Sequence, residues 1–135
     1  MGKRDASRGA SLRIAIADDS PAFAAAAAEY LAGMPGYVLA WTAQTDGQML
    51  ALLRSSRPDI LLFGLGPVPA RGLETLRRIK TVPGAPTIIA LTLFHSPEAA
   101  MAARGAGAAA LVGKEAFVSS LTQVLERLFP VEIAA

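Results

Sequence analysis

An α/β fold, with a parallel sheet of five strands and helices on both faces, is predicted by three features of the 135-residue sequence. Short apolar runs recur about every 25 residues, and each is followed by a stretch of helical period. One of the runs, residues 60–65, is continuously apolar rather than alternating, as suits a strand covered on both faces. Apolar residues make up 53% of the chain, enough to bury one core, and the length suits one domain. Strands alternating with helices, joined by right-handed crossovers, give a doubly wound (βα)5 sheet in the order 2-1-3-4-5.

The elements follow in sequence. Leu12–Ala17 is a short, partly β-branched run ending in two aspartates, and it reads as a buried strand. Ser20 and Pro21 then supply a favoured N-cap and a first helical residue. The helix they open runs to Gly33, with Phe23, Ala27, Tyr30, Leu31 and Met34 at helical spacing. Tyr37–Ala43 alternates loosely around Trp41, as an edge strand would. A second helix starts at Asp46 or Gly47, and residues 60–65 form the third strand. Residues 66–72, with two prolines and two glycines, predict a loop before a helix over residues 73–80. Residues 86–92 form the fourth strand. Ser96, Pro97 and Glu98 repeat the capping signal for a short helix to Arg104, broken by Gly105 and Gly107. Residues 108–113 are a weak fifth strand, and residues 115–129 an amphipathic helix.

Composition removes several classes of function. There is no cysteine, hence no disulfide, thiolate nucleophile or thiolate metal site; one histidine, His95, excludes a His-rich metal centre. No apolar run is long enough to span a bilayer, and no signal peptide is expected, which predicts a cytoplasmic protein with no membrane contact. The net charge of +2 arises in residues 1–11, where Lys3, Arg4 and Arg8 outweigh Asp5; this segment is expected to be a flexible basic tail. The remainder carries 10 basic and 10 acidic residues, so no nucleic-acid face is expected. The domain is expected to occupy residues 12–130, with 131–135 a second tail.

In an open parallel sheet, ligands bind beyond the carboxyl ends of the strands. The predicted strands end there at Asp18 and Asp19, at residues 64–66, at Thr92 and at Lys114. Two adjacent carboxylates suit a hard cation such as Mg²⁺. An ammonium and a hydroxyl suit phosphoryl oxygens. The aspartates could equally be a structural pair at a helix N-terminus or partners of Lys114. Asp59 lies at the wrong end of its strand to join them. No carboxylate nucleophile stands at the end of the third strand.

Asp18, Asp19, Ser20 and Pro21; Pro58 to Leu62 leading into the third strand; Gly72, Leu73 and Glu74; Leu91 and Thr92; and residues 105–108 leading to Lys114 and Glu115 occur in an order and spacing that resemble a response-regulator receiver domain, from about Leu12 to Phe129. The resemblance implies a flavodoxin-like fold and a place in two-component signalling or a phosphorelay of bacterial type. The phospho-accepting aspartate of that family falls on Gly64, and its aromatic switch residue on Leu111. The implied phosphorylation site, Gly64, Thr92 and Lys114, is therefore degenerate, and the resemblance implies a pseudo-receiver.

The expected function is binding rather than catalysis: a non-phosphorylated receiver acting through protein contacts. No organic cofactor is expected, and Mg²⁺ only weakly, at Asp18 and Asp19. The resemblance implies a partner such as a histidine kinase or another regulator, or a second copy, on the face of the fourth helix, fifth strand and fifth helix. Ala99, Met101, Ala103 and Leu111 are the expected surface. Two alternatives are a receiver using another acceptor, such as Ser20, Thr92 or Ser96, and a flavodoxin-like small-molecule binder. The first needs a hydroxyl acceptor without a strong base beside it. The second would place a phosphate against two carboxylates.

Overall fold

The computed structural model describes residues 11–130; the tails expected over residues 1–11 and 131–135 lie outside these, apart from Ser11. Five strands, β1 (Leu12–Ala17), β2 (Tyr37–Ala43), β3 (Ile60–Gly64), β4 (Thr87–Thr92) and β5 (Ala110–Gly113), alternate with five helices. The helices are α1 (Pro21–Ala32), α2 (Asp46–Ser55), α3 (Pro69–Lys80), α4 (Pro97–Ala106) and α5 (Phe117–Leu128). All strand pairs are parallel, and the order is β2-β1-β3-β4-β5, the predicted doubly wound, flavodoxin-like sheet.

The sheet divides the core in two. Ile14, Ile16, Ile60, Leu62, Ile89, Leu91 and Val112 face α1 and α5, where Leu31, Leu121 and Leu125 meet them. The alternate residues face α2, α3 and α4. That second layer mixes small and large side chains: Ala15, Ala17, Ala43, Ala90, Ala100, Ala103, Ala106 and Ala108 are buried among larger ones such as Trp41, Leu61, Phe63 and Leu76. Between Ile14 and Ala15 the register with β2 shifts by one residue, so Ala40 is bulged out of the pairing.

The helix starts follow the capping chemistry. The Ser20 hydroxyl accepts from the Phe23 N–H, and Ser96 from the Ala99 N–H, each with proline at the first helical position. Thr45, absent from the sequence reading, caps α2 in the same way.

Several boundaries differ from expectation; β5, for example, starts at Ala110 rather than at residue 108. The third strand ends at Gly64 rather than at residue 65. Helix α3 begins at Pro69, not residue 73, so Gly72 lies in its first turn rather than in a loop. A Cβ on Gly72 would stand 2.3 Å from the Leu65 carbonyl oxygen, so glycine serves there as a close contact between the helix and the backbone just after β3, not as a breaker. Gly105 lies within α4; only Gly107, at φ 115° in the left-handed region, ends it. The last helix is preceded by a separate 3-10 turn over Lys114–Ala116 and starts at Phe117.

Candidate functional site

The parallel register brings the carboxyl ends of β1, β3, β4 and β5 together: Ala17 lies beside Phe63, Gly64 beside Leu91, and Thr92 beside Gly113. The residue that follows β1 is Asp18, whose side chain has no exposed surface. One carboxylate oxygen, Oδ1, accepts from the Ser20 backbone N–H at 2.9 Å and from Lys114 Nζ at 3.0 Å. The other, Oδ2, lies 2.8 Å from the same ammonium but is not aligned for a hydrogen bond. Lys114 is only 13% exposed, and its Nζ also stands 4.5 Å above the Phe23 ring. Phe23 in turn meets Phe117 edge to face at 5.1 Å, so the lysine is seated on the packing of α1 against α5.

The Asp18 carboxylate leans over Gly64. A Cβ built on that glycine would be 2.2 Å from Asp18 Oδ2 and 2.9 Å from Cγ. The missing side chain at position 64 is thus the space that the Asp18 carboxylate uses. Beyond it opens a cleft lined by Asp18, Asp19, Thr45, Gly64, Val68 and Arg71; Lys114 and Thr92 do not line it.

The structure places the other expected residues as follows. Asp19 is exposed at the cleft. Thr92 is buried, and its hydroxyl accepts from the Phe94 N–H at 3.3 Å, tying down the turn after β4. Asp59 sits at the opposite end of β3, accepting from the Arg13 N–H. Of the expected contact surface, only Met101 projects strongly, at 71% exposure. Ala99 is half-buried. Ala103 and Leu111 are buried and belong to the α2–α4 side of the core, a correction to their expected place on the surface. For Ala103 the cause is helical phase, since Ala100, Ala103 and Ala106 share one buried stripe, and for Leu111 it is the strand, since every residue of β5 is buried. Sequence reasoning missed Leu93 and Phe94, which stand 61% and 83% exposed before α4. The signal was available, as two large apolar side chains following directly on the end of a buried strand.

As to the metal, the donor set does not fit it well. Among the described residues, no three carboxylate, imidazole or thiol groups gather closely enough to hold an ion. Of the two adjacent carboxylates, Asp18 is already bound by Lys114 and by a backbone N–H.

Residues 14–126 match the model of the response regulator receiver domain family. The chain belongs to that family, whose members are receivers of two-component signalling. Among solved structures it is similar to a LuxR-family two-component response regulator from Aurantimonas sp. SI85-9A1, at 30% identity over 88% of this chain and 85% of that one, with a TM-score of 0.76. It shares the fold of the receiver domain of a DNA-binding response regulator (merR) from Colwellia psychrerythraea 34H, at 23% identity over 87% and 98% of the two chains, TM-score 0.76. It also shares the fold of response regulator Rcp1 in its Mn²⁺-bound form, at 22% identity over 92% and 99%, TM-score 0.69.

Proposed function

We propose that this receiver domain takes no aspartyl phosphate and carries its signal by protein contact. The observation that supports this most is Gly64 at the end of β3, where the family's acceptor falls and where the Asp18 carboxylate now lies. Acyl phosphate formation needs a carboxylate nucleophile that can reach the donor. Asp18 is fully buried and engaged with Lys114, and the other carboxylates lining the cleft, Asp19 and Asp46, lie after β1 and β2 rather than at the acceptor position. Mg²⁺ is held weakly at most, because it favours carboxylates free to complete an octahedron together with a phosphate. The Mn²⁺-bound relative shows that the fold can carry such an ion; in this chain the lysine occupies one of the two carboxylates.

The proposed working surface surrounds the start of α4, where Leu93, Phe94 and Met101 are exposed. Its partner is a histidine kinase, another regulator or a second copy, met in the cytoplasm. Incubation with Mg²⁺ and a small phosphodonor, followed by intact mass measurement, should give no adduct. A stoichiometric, base-labile addition of one phosphate overturns the proposal.

A further inference from the structure

We infer that Asp18 is the internal stand-in for the missing acceptor: its carboxylate fills the side-chain space of position 64 and acts as the fixed counter-anion of Lys114. The inference deepens the reading of the domain as non-phosphorylated and assigns a role to a residue that the family resemblance offers only as a metal ligand.

Three observations carry it. The first is steric. A Cβ at position 64 would lie 2.2 Å from Asp18 Oδ2, well inside van der Waals contact. The atom it meets ends a side chain that could in principle swing aside. It is not free to do so, because Oδ1 holds two hydrogen bonds, from the Ser20 N–H and Lys114, and Oδ2 lies 2.8 Å from the same ammonium. The second is electrostatic. A lysine 13% exposed needs an anion beside it, and the carboxylate that meets this one is itself fully buried. Moving Asp18 away would leave two desolvated charges apart, which costs far more than the pair contributes when intact. The third is positional. Asp18 lines the cleft at the strand ends and Lys114 does not, so the carboxylate lies between the cleft and the ammonium. An anion over Gly64 reaches the Asp18 carboxylate before it reaches the Lys114 ammonium.

The consequence is that glycine at 64 and aspartate at 18 are a matched pair. Restoring a carboxylate at position 64 alone does not rebuild an acceptor site. The new side chain and Asp18 compete for one volume and one counter-ion. Moving the carboxylate, by removing it at 18 and adding it at 64, returns one anion to Lys114 and relieves the overlap.

The test is a thermal-melt cycle of wild type, Gly64→Asp, Asp18→Ala and the double variant, with intact mass after phosphodonor treatment. Gly64→Asp alone should melt roughly 10 °C lower than wild type, as expected for a disrupted buried ion pair. The double variant should recover at least half of that loss. If Asp18→Ala does not fold by itself, the double variant is compared directly with Gly64→Asp, and a restored melting transition still supports the inference. A Gly64→Asp protein as stable as wild type overturns it, as does a double variant no more stable than Gly64→Asp. Phosphorylation of the wild type overturns instead the reading of the domain as non-phosphorylated, so the two failures are distinguishable.

Discussion

Lys114 is the residue on which the candidate site turns. It reaches across from the end of β5, lies against the Phe23 ring and meets a carboxylate with no exposed surface. Removing one partner of such a pair strands the other charge in a poorly solvated place. Lys114→Met, similar in length and apolar, is expected to destabilise the fold by about 3 kcal/mol, against well under 1 kcal/mol for an exposed pair. Urea unfolding measures this. An unchanged midpoint would mean that Asp18 finds water or another donor when the lysine is gone. The exposed Arg77–Glu74 pair on α3, at 3.7 Å, is the internal control, since breaking it should change little.

At the scale of the elements, two glycines that look alike in the sequence behave oppositely. Both Gly72 and Gly105 read as breakers, and both lie inside helices. Gly72 brings the first turn of α3 against the Leu65 backbone, with no room for a methyl group. Gly72→Ala should therefore cost about 1–3 kcal/mol through overpacking. A Cβ on Gly105 meets nothing within 4 Å. There alanine replaces the poorest helix former short of proline, so Gly105→Ala should stabilise by about 0.5–1 kcal/mol. Thermal melts of the two variants should move in opposite directions, and a shift of the same sign in both would refute the assignment. The same pair marks where the sequence was legible and where it was not. Apolar runs, Ser–Pro caps and the terminal aspartates of β1 were readable locally, because each depends on neighbours along the chain. Whether a glycine ends a helix or presses on neighbouring backbone depends on what lies across space. So does the overlap of Asp18 with position 64: the sequence supplies both residues, but only the fold brings one over the other. Helical phase was readable in principle, yet an alanine-rich helix such as α4 carries little contrast between its faces, which is why buried Ala103 was expected at the surface.

Over the whole molecule, the apolar surface concentrates where β4 leads into α4. Leu93 and Phe94 gain nothing for the fold by being 61% and 83% exposed, and Met101 at 71% extends the same end of α4. Phe94→Ser with Met101→Glu should weaken the complexes the chain forms, with itself or a signalling partner, at least tenfold in sedimentation or binding assays, as expected for lost apolar anchors. Stability should stay within about 0.5 kcal/mol, because neither side chain is in the core. Undiminished association would move the contact surface elsewhere, and a large loss of stability would show that the two side chains support the turn. Behind this surface, positions within the core differ in how they can change over generations. Isoleucine, leucine and valine, abundant opposite α1 and α5, can exchange with one another at nearly constant volume. The buried alanines of α4, Ala100, Ala103 and Ala106, have no such synonyms, because any larger residue must be fitted into an interior already closely packed. Descendants of this chain should therefore vary freely at the branched aliphatic positions while the inner stripe of α4 stays nearly fixed, two clocks of different speed inside one core.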